Sequence, residues 1–469
     1  MGAPRTYQRN EKMHPNPEAN PNDRAFLGHP KGLGYLSFSE AFERFSYYGM
    51  QALLVLYMVN YLLLPGNVEQ VWLFKPLQSF FGLQGQPLAS AIFGTYASLV
   101  YLTPIAGGFI ADRFLGKRRT VLLGAITMAF GHFLMAFEPA FLFALLCLII
   151  GTGLFKGNIA SQVGSLYGPE DNRRADAFQI FYLGINAGVI AAPLIVGTLG
   201  EKVGWHWGFG AAGVGMLIGL AIYISGTRHL PNDPPIRKSA DAPARPPLTR
   251  QEWIATLSLL ALIPVMAMAI IPNQQIFNAY LVWGDRNFDL MFLGTRLPTT
   301  WLITLDAIVS VSFLALVALF WRWWGKTRTE PDELQKILIG SAFTTAGMFC
   351  LVMAAITQPE GGKIGLAWPV AFHVLNSIGF AHMLPISLAL FARMAPPAIN
   401  ATVIGLYYLA FFAGNAMVGW IGGKLDSMVP THFWLLHAAF AAGAGLIFLL
   451  FRLTVWRPKA VAPSLSPTG

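Results

Sequence analysis

The stretch from Arg228 to Arg250 reads RHLPNDPPIRKSADAPARPPLTR. Proline and charge crowd it, so it reads as a linker. Toward the amino terminus, apolar runs of membrane-spanning length fall at about 207–226, 175–199, 140–166, 119–138, 88–111 and 33–63. Toward the carboxyl terminus they fall at about 252–283, 299–323, 335–357, 366–393, 400–423 and 432–455. A helical span needs roughly 20 residues. The expectation is therefore an all-α polytopic membrane protein with 12 transmembrane helices in two six-helix bundles, 33–227 and 251–456. The cytoplasmic linker is 228–250, and the tails are 1–32 and 457–469. The amino-terminal tail is polar, lacks the apolar core of a signal peptide and reads as disordered.

Composition excludes the main rivals. Of 469 residues, 55% are hydrophobic and 12% charged, too few charges to coat a soluble surface, for which about 25% is usual. Long apolar segments must instead satisfy their backbones as helices in lipid. The net charge of +9 raises nucleic-acid binding, but its distribution answers that. With the amino terminus inside, 24 of the 32 Lys and Arg fall on cytoplasmic segments and six on external loops, as the positive-inside rule requires. Both termini are thus expected in the cytoplasm, in an inner (plasma) membrane. No nucleic-acid partner is needed. Cys147 and Cys350 sit in apolar runs without ligand spacing, so no metal or cofactor is expected.

Charges inside the spans are the informative exceptions, because an ionisable group at membrane depth costs about 2.5–3.5 kcal/mol on insertion scales. The first span holds Glu40, Glu43 and Arg44, which share one helix face at i, i+3 and i+4. Two carboxylates beside one guanidinium tend to hold a proton, because like charges disfavour joint ionisation. A buried structural ion pair is the plainer alternative. Lys156, in Gly151-Thr-Gly-Leu-Phe-Lys-Gly-Asn158 of the fourth span, needs an anion, either a first-span carboxylate or a substrate carboxylate. The glycines suit close helix packing, and no Walker sequence supports ATP-driven pumping. Asp112 and Arg113, at the turn between the second and third spans, read as gating residues, with Asp112 able to accept from helix ends. In the eighth span Asp306 has no basic neighbour in sequence. It should be protonated or should meet a cation in a watery cavity, unless its role is structural. His373 and His382 of the tenth span read as hydrogen-bonded core residues. The sequon at Asn400 falls on the cytoplasmic side and is discounted.

Together these motifs are identified as those of proton-dependent oligopeptide transporters, the POT/PTR2 (SLC15-like) family of the major facilitator superfamily. Glu40-x-x-Glu43-Arg44-Phe45-x-Tyr47-Tyr48-Gly49 resembles the first-helix signature. Gly151 to Asn158 resembles the fourth-helix signature, and Phe181-Tyr182-x-Gly184-x-Asn186-x-Gly188 the fifth. Gly108 to Arg119 is similar to the general major-facilitator loop. The resemblance implies a proton-coupled symporter that imports di- and tripeptides by alternating access. It implies Glu40, Glu43, Arg44 and Lys156 in proton coupling, with Arg44 and Lys156 also on the peptide carboxylate. Tyr48 and Asn186 would line the site, with Tyr47, Tyr96, Tyr101 and Gln274 as further lining candidates.

The chain also departs from the family. Gln51 stands where peptide-transporting members often carry Arg. Pro272-Asn-Gln-Gln275 lacks the seventh-helix acid, and Phe380 occupies the place of the tenth-helix Glu. Asp306 stands where an Asn is usual and could receive the substrate ammonium or a second proton. The alternative is a modified peptide, an anion or another small metabolite on the same fold. An enzyme is disfavoured, since no nucleophile–base or metal set is recognisable.

Overall fold

A computed structural model describes residues 23–168, 171–233 and 248–455. The expectations for residues 1–22, for most of the linker (234–247) and for the last residues (456–469) lie outside these. Twelve long helices are seen among the described residues. They are α1 Lys31–Tyr57, α2 Gly85–Ile110, α3 Lys117–Leu134, α4 Phe141–Ser165, α5 Arg173–Ala192 and α6 Trp205–Gly226. After the linker come α7 Arg250–Gln274, α8 Trp301–Trp324, α9 Glu333–Ile356, α10 Ala367–Met394, α11 Asn400–Gly422 and α12 Pro430–Thr454. Ten of them are apolar enough to cross a membrane by composition. The other two, α1 and α3, carry the first-span charges and the run Lys117-Arg118-Arg119.

Local chemistry sets several boundaries. Thr249 and Glu252 form a capping box that starts α7, and Asp332 and Gln335 form another that starts α9, each pairing two helix-end donors. The seventh span does not run unbroken over 252–283 as expected. Pro272 lies near its end, and the chain tightens to a 3-10 turn at Gln275–Phe277 before a second helix, Ala279–Asn287. Asn278 occupies the break, donating to Val418 O at 3.2 Å and accepting from the Ser90 hydroxyl at 3.0 Å. A short helix Phe74–Phe81 and a two-residue hairpin, β1 Met291–Phe292 with β2 Thr295–Arg296, were not expected.

Within the first bundle α1 packs on α5 and α6, and α3 on α4; within the second, α10 packs on α9 and α8. The halves meet through α2 on α11 and α5 on α8. Gly94 and Gly419 allow the first crossing, since a Cβ on Gly94 would come within 2.5 Å of the Gly419 Cα.

Hydrogen bonds between the halves cluster on the face opposite the linker. The Glu201 carboxylate, from the end of the fifth span, accepts from Thr299 N–H, Thr300 N–H and Thr300 hydroxyl at 2.8, 2.8 and 2.7 Å. It thereby caps α8 of the other half, where a negative group is favoured by the helix dipole. Trp301 donates to Thr198 at 2.8 Å. Asp285 accepts from Asn60 at 3.0 Å, Arg296 at 2.6 Å and Thr299 at 2.7 Å. Replacing this cap by Glu201→Ala should cost about 0.5–2 kcal/mol, as helix caps do. A lowered melting temperature in detergent checks it.

Burial pushes the Asp285 carboxyl upward, but its hydrogen bonds to Thr299, Arg296 and Asn60 outweigh burial and hold it below the usual aspartate value. A depressed carboxyl stabilises the fold above its unfolded value and loses that contribution as pH falls through the folded value. The Asp285 cluster should therefore survive mild acidification. Spin labels at positions flanking Asn60 and Asp285 should report the same distance at pH 7.5 and pH 5, and a longer distance at pH 5 would contradict this.

Candidate functional site

The site grows from α1. Helical spacing places Glu40, Glu43 and Arg44 on one buried face. Arg44 Nε lies 3.2 Å from Glu40 Oε1 and also bonds Glu43 Oε2. The guanidinium thus bridges both carboxylates, as their spacing suggested. Glu40 Oε2, Glu43 Oε1 and Arg44 Nη2 nevertheless stay buried without a hydrogen-bond partner among the described residues. Buried polar groups are usually satisfied, so three orphans in one cluster call for explanation. The Arg44 guanidinium also lies 5.2 Å from the Tyr47 ring centre.

Lys156 of α4 is not ion-paired to this cluster. Among the described residues no carboxylate lies within 4.0 Å of its ammonium, which instead sits 4.8 Å from the Tyr101 ring centre. The first-span carboxylates are near enough to interact with it electrostatically, but Arg44 has taken their close positions. Of the two expected partners for Lys156, the direct Glu40 or Glu43 pair is therefore not formed in this conformation.

Aromatic groups build the walls. Tyr47 and Tyr48 pack edge to face, Tyr48 meets Phe277 of the other half, and Tyr101 stacks on Phe411 of α11 at 4.9 Å. The Tyr96 hydroxyl is buried without a partner. Asn186 is half-buried and donates to Tyr182 O one turn back on α5, so its amide is engaged locally. Gln51, in the place of the family's Arg, is buried.

Across the interface, Gln274 lines a small cavity of about 20 Å³ with Asn273, Thr344, Asn376, Phe380 and Phe411. This is room for about one water-sized group. Neither amide atom of Asn376 has a partner. Phe380, where the family's Glu was missing, lies in this wall, so that wall is neutral. Asn376 was not singled out from the sequence, because a lone amide in an apolar helix has no signature.

Asp306 has no basic neighbour in sequence but has one in space. Its Oδ1 lies 3.0 Å from His373 Nδ1, and His373 Nε2 lies 2.8 Å from the Tyr280 hydroxyl. His373 is thus buried and hydrogen-bonded as expected, as is His382, which bonds Trp321 and Ile378 O. The sequence separation of 67 between Asp306 and His373 hid their pairing. Asp112, expected to accept from helix ends, is exposed beside exposed Arg113 and makes no hydrogen bond or ion pair among the described residues. Asp233 of the linker takes that role, accepting from Arg118 N–H at 3.0 Å at the start of α3. Gly116 precedes it at φ +76°, where a Cβ would lie 2.4 Å from the Asp233 carboxylate.

Two helical bundles that close around buried charges at their interface define a membrane transporter of the major-facilitator type. The model of the POT family matches residues 118–246. The chain is 31% identical to an uncharacterized transporter, YclF, of Bacillus subtilis (strain 168), over 92% of this chain and 96% of the relative. It is 28% identical to the peptide transporter YePEPT of Yersinia enterocolitica, over 92% of this chain and 95% of that one. A crystal structure of a peptide transporter POT in complex with sulfate superposes with a TM-score of 0.80 at 27% identity, covering 92% of this chain and 96% of the other. The chain belongs to the POT family.

Proposed function

We propose that this protein is a proton-coupled symporter that imports di- and tripeptides by alternating access. The observation that carries the reading is the buried Glu40–Glu43–Arg44 cluster, with three polar atoms unpaired among the described residues, beside an ammonium at Lys156 that has no close carboxylate among them. With every group ionised, two carboxylates balance two cations. A proton on Glu40 or Glu43 leaves a net positive site. It also frees part of Arg44, and with Lys156 this forms a receptor for a substrate carboxylate. Proton and carboxylate then each favour the other's binding, and such linkage is reciprocal.

The conformation fits one step of this cycle. The halves are bonded on the face opposite the linker. With the termini in the cytoplasm, that face is external, so these bonds hold the external side closed. Tyr47, Tyr48, Tyr96, Tyr101, Asn186 and Gln274 line the peptide path, and Asp306 offers an anion to the peptide amino group. Asp112 and Arg113 belong to the cytoplasmic gate. Peptide transport by relatives such as YePEPT supports the substrate class.

The test is uptake of radiolabelled dialanine into proteoliposomes. An inward proton gradient should drive accumulation above equilibrium, and a protonophore should collapse it to equilibrium. Entry that ignores the gradient, or no entry of dialanine while another solute enters, would overturn the reading.

A further inference from the structure

Tyr280, His373 and Asp306 join three elements of the second bundle into one hydrogen-bonded chain. Tyr280 lies in Ala279–Asn287, His373 on α10 and Asp306 on α8. The His373 side chain is fully buried, whereas Asp306 keeps 13% of its side-chain surface open. Asp306 Oδ1 faces His373, and its other oxygen has no partner among the described residues. The neighbours bear on its charge. Tyr48 of α1 is near enough to interact with Asp306 electrostatically. Thr304, two residues before Asp306 on α8, donates to the Ile190 carbonyl of α5 at 3.3 Å. From α12, Trp434 packs on Tyr280, and His437 lies beyond it, bonded to Gln275. Among the described residues no Lys or Arg lies within ion-pair distance of Asp306.

The hydrogen bonds are compatible with two proton counts. In one, a neutral His373 donates from Nδ1 to the Asp306 carboxylate and accepts at Nε2 from the Tyr280 hydroxyl. Both ring nitrogens and the Tyr280 hydroxyl are then satisfied, one Asp306 oxygen stays open, and the unit carries one negative charge. One added proton, held between Asp306 and His373, makes the unit neutral. A buried carboxylate without a cation is costly, and two sources of positive charge can reach the open oxygen.

We propose that the Asp306–His373–Tyr280 unit is a second cation site, at which a proton and the substrate's ammonium are alternatives. The inference rests on the peptide reading above and extends it to substrate range. A free-amino peptide brings its own cation to Asp306. A peptide with a blocked amino group enters with one proton more. Both complexes then carry the same charge.

The test compares dialanine with N-acetyl-dialanine, between pH 5 and 7, where the α-amino group of a peptide stays charged. Both ligands share the carboxylate, so the pH dependence of the Glu40–Glu43 site cancels in the ratio of their dissociation constants. In the wild type the ratio, blocked over free, should rise with pH, approaching about tenfold per unit for exchange of one proton. Asp306→Asn should flatten it, and His373→Asn, which keeps a donor toward Asp306, should displace the rise along the pH axis. A flat wild-type ratio, or a rise untouched by Asp306→Asn, overturns the proposal. A second arm needs no substrate. Histidine-selective ¹⁵N NMR of the ligand-free protein identifies His373 by the peak missing in His373→Asn. A shift that changes with pH, and that Asp306→Asn displaces, supports the site; one neutral tautomer throughout overturns it. If neither peptide binds at any pH, the peptide reading fails, and the NMR arm still decides this one.

Discussion

Glu43→Gln is expected to abolish gradient-driven accumulation of dialanine while exchange of labelled for unlabelled dialanine continues. In the native protein a one-unit pH gradient supports about tenfold accumulation per coupled proton. In the variant the internal and external concentrations should equalise. The physical reason lies in the cluster on α1. Arg44 bridges Glu40 and Glu43, so glutamine at position 43 fixes the cluster in a form resembling its protonated state. The site can still receive a carboxylate and still exchange it. It can no longer bind and release a proton at that position, so the proton gradient has lost its handle. An unchanged melting temperature in detergent shows that the fold survives. Accumulation at the native level would contradict the assignment of Glu43.

Lys156→Gln should weaken dialanine binding by a factor of about 30 or more. Truncating one member of a desolvated charge pair costs about 2–5 kcal/mol, and about 1.4 kcal/mol is tenfold in affinity. Among the described residues Lys156 has no carboxylate within 4.0 Å; its ammonium lies over Tyr101. The effect should be specific to the substrate carboxylate. Dialanine amide, which lacks that charge, should bind the native protein weakly and lose little more in the variant. Equal losses for dialanine and its amide would assign Lys156 to structure. Isothermal titration on the purified protein measures both.

The fold was largely legible because hydrophobic length and Lys and Arg placement report on the bilayer residue by residue. Six long helices precede Arg228 and six follow from Arg250, and most of their ends lie within a few residues of those expected. The seventh span was drawn as unbroken because Pro272 marks a weakness without specifying the turn at Asn278, which contacts on α2 and α11 hold. In the site, Glu40, Glu43 and Arg44 were legible because their spacing on one helix already puts them together. Lys156 was legible as a buried cation, but its seat over Tyr101 depends on how α4 meets α2. Asp306 was visible as an anomaly, whereas its partner His373, on another helix, was not. Glu201 capping α8 and Asp233 at the start of α3 depend on contacts between distant segments, which no local spacing records.

In the proposed mechanism peptide and proton move together through the Glu40–Glu43–Arg44 site. The direct measurement is the reverse of uptake driven by a proton gradient. Proteoliposomes carrying a trapped pH indicator, at equal pH inside and out and with membrane potential clamped, receive an inward dialanine gradient. The account predicts acidification of the lumen that follows dialanine entry and disappears in Glu43→Gln. Dialanine entry in the native protein with no change in lumenal pH would contradict it.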